Sequence, residues 1–413
     1  MTAEIFDLKE STHSGALLKK LLAAYCGALP FGEDSFSHIP VVVKPHYLPQ
    51  MERLCRTLNK ALVKVVSAYF TDERIRAIYN LDAELESILK VAAEKEYRVG
   101  LYRPDLLQDV NGQAKICEIG ARYAINGWML SYYLNLAVSN PEVIEQLELQ
   151  AVPGQQDFVD TFYHIFDAKE PLVMVHDNEK GTEIFNLLNE FGKKGLNALF
   201  ASPADLEMDN GLVTLRGKTV SQFILEMDRE ELRKFSPDVL CHIIRNGIYF
   251  NDVRTLILVH DKRVLAVLYD DAIMADYLSV EEYQFLKPFL IPTYTLNKSE
   301  KRDEIINSHQ NWLIKQNSGG RGIGIYVKDE CIAETWAKVI NEQWHEYMVQ
   351  QYVDQQQFTY PDSPDDGPVS LVGMLLCYND HSFGPGLFRA SAACVVNVHQ
   401  GRAVIFPPMV LRS

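Results

Sequence analysis

Between Asn311 and Val327 the chain reads NWLIKQNSGGRGIGIYV, and this stretch restricts fold and chemistry more than any other. An apolar run, Trp312–Ile314, carries Lys315. Gln316-Asn317-Ser318 follows, then four glycines within six positions (Gly319, Gly320, Gly322, Gly324) and a second β-type run, Ile323–Val327. Two apolar runs joined by a short polar, glycine-bearing segment predict a β-hairpin. Glycine lets the backbone take positive φ and approach a ligand closely, so successive N–H groups can point at phosphate oxygens. A lysine ending the first strand supplies a point charge to the same phosphates. The stretch is neither a Walker A loop nor a dinucleotide fingerprint, because neither spacing stands at a strand-to-helix turn. An ordinary glycine-rich turn would use the same residues, so the rest of the chain must decide.

At 413 residues the chain exceeds a single hydrophobic core, and about two to four domains are expected. A net charge of −15 argues against non-specific nucleic-acid binding, which needs a basic footprint. Global acidity leaves nucleotides open, provided that local lysines, arginines and a divalent cation line the cleft. The seven cysteines (Cys26, Cys55, Cys117, Cys241, Cys331, Cys377, Cys394) are scattered and form no C-x-x-C, which fits reduced thiols in a cytosolic protein. The opening MTAEIFDLKESTHSG lacks a basic region followed by an apolar core, and no run of 18 apolar residues occurs. A cytoplasmic protein without signal peptide or membrane span is therefore expected.

From Gly15 to Leu89 apolar residues recur at three- and four-residue spacing, which predicts helices separated by loops at Pro30, Pro40 and Pro45. A strand pair is predicted over Tyr97–Tyr102 and Ala114–Ile119, with Asn111-Gly112 as the hairpin signal. Arg103 and Asp105 then stand at the end of the first strand and Glu118 near the end of the second. Side chains of like parity share a sheet face, and two carboxylates with an arginine there suit magnesium and phosphate. A surface ion pair worth about 0–1 kcal/mol is the alternative. Gly120–Trp128 reads as a polar, aromatic loop before a helix.

After Pro153, PLVMVHD, EKGTEIFNLLNEFGKKG and LNALFAS give strand, helix and strand, hence a Rossmann-like layer with a parallel sheet. Its first turn lacks the glycine fingerprint, so no NAD or FAD is assigned. DNGLVTLRG reads as a hairpin. Thr255–Val259 is predicted as a strand, with Asp261 capping a helix that starts with Lys262 and Arg263. A polar helix (Lys298–Ser308), the focal hairpin and a strand over Trp344–Asp354 follow. The linker QQQFTYPDSPDDGP precedes a meander of SLVGMLLCYND, the turn HSFGPG, LFRASAACVVNV, the turn HQGR and AVIFPPM.

In this order the segments resemble the circularly permuted ATP-grasp superfamily of glutathionylspermidine synthetases and related freestanding ligases. RPDLLQDVNGQAKICEIGAR is similar to the metal segment, which implies Arg103 on phosphate and Asp105 and Glu118 on Mg²⁺. HDKRVLAVL resembles the segment with the first nucleotide lysine, Lys262. WLIKQNSGGRGIGIYV resembles the lid, which implies Lys315 on the α/β-phosphates and Gly319, Gly320, Arg321 and Gly322 closing over them. MVQQYV is similar to the hinge, so Gln351, Tyr352 and Val353 would face adenine. FGPGLFRAS resembles the late arginine segment, which makes Arg389 a phosphate contact. One departure stands out: Gly120 replaces the family's metal-site asparagine, so that Asn126, a backbone group or a water would serve as ligand instead, or one metal site would be weakened.

The resemblance implies an α/β (α+β) chain with a circularly permuted ATP-grasp fold, a Rossmann-like pre-ATP-grasp domain and an N-terminal helical region. The implied division is 1–95 helical, 96–150 metal hairpin and substrate loop, 151–262 Rossmann-like, 263–340 lid, and 341–413 the C-terminal part of the core. The implied activity is ATP- and Mg²⁺-dependent ligation of a carboxylate to an amine through an acyl phosphate. Arg122, Tyr123 and Asn126 would contact the acid substrate. A carrier-protein thiol as acceptor, a kinase and a noncatalytic nucleotide-binding module are the alternatives. A homodimer is compatible with the resemblance; nucleic-acid and membrane partners are not expected.

Overall fold

The computed structural model describes residues 3–5, 12–27, 29, 31–177, 183–320, 322–359, 367–393, 395–396 and 403–412. Arg321, Pro30, Cys394 and the expected HQGR turn lie outside them, as does most of the linker after Phe358.

The long N-terminal helix, Tyr47–Ser67, forms because its apolar residues fall on one stripe: Met51, Leu54, Cys55, Leu58, Ala61, Leu62 and Val65 are all buried. Fully burying one such leucine or valine is worth about 1.5–3 kcal/mol. Two shorter helices, Glu73–Tyr79 and Ala83–Ala92, start where Asp72 and Asp82 accept backbone N–H groups of the first turn. The first region also holds strands, since Val41–Val43 pairs in parallel with Pro408–Leu411 near the C-terminus.

The central sheet is antiparallel, in the order Val404–Phe406, His381–Ser391, Val369–Tyr378, Leu101–Gln108 and Ala114–Gly120. Its strands alternate between two environments. Tyr102, Leu106, Ile116, Leu371, Phe388 and Ala390 enter the main core, which also contains the buried stripe of Tyr47–Ser67. Residues of the other parity face a cavity. A second sheet is parallel, in the order Ile248–Tyr249, Gln222–Leu225, Leu172–Val175 and Ala198–Ala201, with helix Glu183–Lys193 as a crossover. A third, antiparallel sheet runs Thr293–Thr295, Tyr347–Gln351, Trp312–Gln316 and Ile325–Val327 around its own small core of Trp312, Ile314, Trp336, Ile340 and Val349. The expected division after residue 340 falls inside helix Ala333–Glu342, and Tyr347–Gln351 is a central strand of this third sheet.

Five expectations are corrected. The first hairpin strand is Leu101–Gln108, not Tyr97–Tyr102, so Arg103 and Asp105 stand in mid-strand. Pro104 stands inside that strand opposite Ile119, while the strand on its other side pairs with Tyr102 and Asp105 to either side of the proline. Thr255–Val259 is a π-helical turn, closed by His260 N–H donating to Thr255 O at 3.0 Å. Every residue from Thr255 to Leu268 is buried, and a run buried on all sides has no period by which to tell strand from helix. HSFGPG lies within strand His381–Ser391, and the turn is Asn379-Asp380, with Asn379 at φ 51°. The glycine is needed for contact, because a Cβ at Gly386 would lie 2.7 Å from Ser131 Oγ. Finally, the expected strand Trp344–Asp354 shortens to Tyr347–Gln351, and AVIFPPM breaks at Pro407 into strands of two different sheets.

The six described cysteines are free thiols, and none of the described helices is long and apolar enough to cross a membrane.

Candidate active site

Strand alternation builds the floor of a cavity of about 300 Å³. Arg103, Asp105 and Leu107 come from one strand, Glu118 and Gly120 from the next, Val372 and Met374 from a third, and Leu387 and Arg389 from a fourth. Asp105 and Glu118 are cross-strand partners in direct register, with a bulge just beyond them. The third sheet forms the roof. Trp312 and Ile314 turn into its core, so Leu313 and Lys315 face the cavity, joined by Gln350 opposite Leu313.

The charged groups converge. Arg389 lies 2.6 Å from Asp105 and Lys262 lies 3.6 Å from Glu118. Buried Lys315 donates to Cys117 O and to Gln350 Oε1, each at 2.9 Å. Gln350 is itself fixed by donating to Thr293. Burial opposes the ionisation of Glu118, but the charges of Lys262, Lys315 and Arg389 hold its carboxyl below the ordinary carboxylate value. Burial pulls the Lys315 ammonium below lysine's ordinary value. Arg103, Lys262, Lys315 and Arg389 thus gather around Asp105 and Glu118.

The glycine loop is tied to the Lys262 segment. Lys262 N–H donates to Asn317 O at 2.8 Å, and its ammonium donates to Gly319 O at 2.9 Å. Gly319, Gly322 and Gly324 hold positive φ (101°, 70° and 69°), the left-handed conformation that side chains resist. Gly320 has another use: a Cβ there would lie 2.8 Å from Arg122 Nη2.

Of the residues singled out in the sequence, Arg103, Asp105, Glu118, Arg122, Tyr123, Asn126, Lys315, Gly320, Gly322, Gln351, Tyr352, Val353 and Arg389 line this one cavity. Lys262 touches it through Glu118, whereas Gly319 borders a separate cleft behind the loop. Three groups are less available than their expected roles suggest. Arg103 Nη1 and Nη2 donate to Ala124 O and Arg122 O, so this guanidinium braces the loop that follows Gly120. The Tyr352 amide donates to Asn311 O and the Gln351 amide to Pro292 O.

Arg122 is bound to Asp228 at 2.5 Å and Tyr123, at φ 43°, donates to Glu231 at 3.4 Å. Gly120 is explained by Arg103: a Cβ there would lie 3.1 Å from Arg103 Nη2, so guanidinium occupies the space an asparagine would need.

The sequence reading missed Gln350, Asp228, Glu183 and His260. Glu183 accepts N–H groups of Gly127 and Leu130 at the start of helix Trp128–Val138, and burial raises its pKa. The available signal for His260 was the polar run His260–Arg263 following a wholly apolar one.

Whether a magnesium nucleotide suits these residues can be asked directly. Among the described residues no cluster of three or more His, Cys, Asp or Glu could hold a metal alone. Mg²⁺ carried by a nucleotide needs only one or two protein carboxylates. Arg103, Arg122, Lys315 and Arg389 line the cavity against Asp105, Glu118 and Glu183, with Lys262 beside Glu118, so cationic groups outnumber carboxylates and favour an anionic ligand. Arg389 Nε, a buried donor with no hydrogen-bond partner, also calls for an acceptor oxygen. The residues fit the group.

The comparisons bear on the fold. A family model described as the AnkG N-terminal domain matches residues 54–258, just under half of the chain. That match ends before Lys262, the glycine loop and Arg389. No curated protein matches the sequence. Among solved structures, a "glutathione synthetase like-effector" from Globodera pallida, in its apoform, aligns with a TM-score of 0.59 at 12% identity, covering 96% of each chain. The chain therefore shares the overall fold of that structure over almost its whole length.

Proposed function

We propose that this chain is an ATP-dependent carboxylate–amine ligase of the circularly permuted ATP-grasp type. The observation that carries the proposal is the convergence of Asp105, Glu118, Lys262, Lys315 and Arg389, distant in sequence, around one cavity between two sheets. The fold shared with the glutathione synthetase-like effector supports it. In this reading the central sheet and Thr293–Gln351 grip the nucleotide, and residues 151–262 form the flanking Rossmann-like unit.

Adenine would lie against Leu107, Ile291, Leu313 and Val372 near Gln351–Val353, and the phosphates would run toward Lys315, Lys262 and Arg389. Magnesium at Asp105 and Glu118 would neutralise phosphate charge. A substrate carboxylate oxygen attacks the γ-phosphorus, the bond to the β-phosphate oxygen breaks, and ADP leaves. The amine nitrogen then attacks the acyl carbon of the acyl phosphate, phosphate departs with the C–O electrons, and the nitrogen loses a proton. This chain's part is positioning and charge neutralisation: Lys315 and Lys262 hold phosphate oxygens, Arg389 follows the transferred group, and Arg122 clamps the acid. Exclusion of water by the glycine loop protects the intermediate.

Phosphate release screened over amino acids paired with amines, with mass spectrometry of products, tests the reading. AMP and pyrophosphate instead of ADP and phosphate would contradict it. One observation favours a second reading, a nucleotide-binding module without turnover: the space for a third metal-site side chain is filled by Arg103 beside Gly120. Nucleotide binding with no turnover across the screen would select that module.

A further inference from the structure

We propose that His260 is a binding residue of the cavity, donating its Nε2–H to a terminal-phosphate oxygen of the bound nucleoside triphosphate; this rests on the nucleotide reading above.

His260 lines the cavity and is 4% exposed. Its Nδ1 accepts the backbone N–H of Ala121 at 3.3 Å, which fixes the neutral tautomer with its proton on Nε2. Nε2 is buried and has no hydrogen-bond partner. A buried donor without an acceptor is costly, and native proteins rarely leave one so. The group is also held in place by an unusual element, the π turn in which His260 N–H reaches back five residues to Thr255 O. Such turns are rare and recur at functional sites.

The neighbours decide what the missing partner is. His260 directly precedes the Asp261-Lys262 pair, and Lys262 and Glu118 meet beside it. A group entering here must offer an oxygen lone pair, and next to Lys262 an anionic oxygen is favoured. Ala121 belongs to the loop that follows the carboxylate strand. Its neighbour Arg122 meets Gly320 of the glycine loop, whereas Gln351 pairs with Trp312, three residues before Lys315 on the strand that leads into that loop, and there the base would sit. The phosphate that reaches the Ala121 end is the terminal one. His260 therefore reads the γ-phosphate, and ADP, which lacks it, leaves Nε2 without its acceptor.

The test uses the full chain and two substitutions that separate the two ring nitrogens. His260→Asn keeps an acceptor for Ala121 N–H but has no distal donor. His260→Gln places an amide N–H near the Nε2 position. Titration calorimetry with magnesium and either the β,γ-imido analogue of ATP or ADP is expected to show His260→Asn weakening the triphosphate about tenfold to a hundredfold. ADP affinity stays unchanged, and His260→Gln keeps most of the preference. Equal losses for both nucleotides, or no loss in His260→Asn, would overturn the assignment. Wild-type protein that binds neither nucleotide would remove the cavity reading as a whole, a different failure. A measurement without substitution guards against misfolding: in ¹⁵N-histidine-labelled protein, saturating triphosphate should shift the His260 Nε2–H resonance and ADP should not. An unmoved resonance would refute the contact.

Discussion

Replacing Lys315 by methionine keeps the length of the side chain and removes its charge. Lys315 is 6% exposed, and its ammonium rests on two neutral acceptors, Cys117 O and Gln350 Oε1, rather than on a carboxylate. Its charge is therefore the one most directly available to a phosphate. A hydrogen bond to a charged group contributes about 1.5–3 kcal/mol, and about 1.4 kcal/mol is a factor of ten. Lys315→Met should thus weaken magnesium–nucleotide binding about tenfold to a hundredfold. Stability should change far less, because two acceptors lose a partner while an expensive buried cation is removed. Calorimetric titration with the β,γ-imido analogue, paired with thermal melting, separates the two effects. The loss should persist between low and high salt, since a buried contact is poorly screened. Unchanged affinity in a folded variant would refute the assignment of Lys315 to phosphate.

Other outcomes follow from the same geometry. Asp105→Asn or Glu118→Gln should abolish turnover while leaving the fold; steady-state phosphate release near the wild-type rate would dismiss the metal role. Arg122→Ala should raise KM for the acid substrate more than for ATP, and equal changes would mean that its bond to Asp228 is purely structural. Asp261 is buried, yet Arg263 and Arg229 hold its pKa at about 2, below its ordinary 3.8. Its stabilising contribution is present above pH 3.8 and is lost as pH falls through about 2. Asp261→Asn should cost about 3–5 kcal/mol in chemical denaturation at neutral pH and flatten the stability profile in that acid window; a steep profile in the variant would assign the acid loss elsewhere. Gly324→Ala puts a side chain at φ 69°, 3.1 Å from Gln316 Oε1, and should cost about 1–2 kcal/mol in the same assay.

Where one face of an element is buried, the chain announced its structure. The stripe of Tyr47–Ser67, the strand–helix–strand of Leu172–Ala201 and the two runs flanking the glycine loop were readable because their periods differ. The candidate site was readable for a related reason: charged residues such as Asp105, Lys262 and Lys315 stand out inside apolar runs. Burial on every side erased the signal at Thr255–Val259, and there a strand was expected in place of a π turn. Local turn chemistry misled at Ser382–Gly386, where packing against Ser131 decided the backbone. Partners from elsewhere in the chain were invisible. Nothing near Arg103 showed that Ala124 O and Arg122 O would take its guanidinium, nor that Asp228 would take Arg122.

A crystal of the protein grown with magnesium and the β,γ-imido analogue of ATP would put the convergence of these side chains to the most direct test. Density for the triphosphate between the central sheet and the Trp312–Val327 hairpin is expected, its phosphates on Lys262 and Lys315 and a cation on Asp105 and Glu118. Nucleotide bound at another surface, or a cavity left empty at saturating concentration, would contradict it.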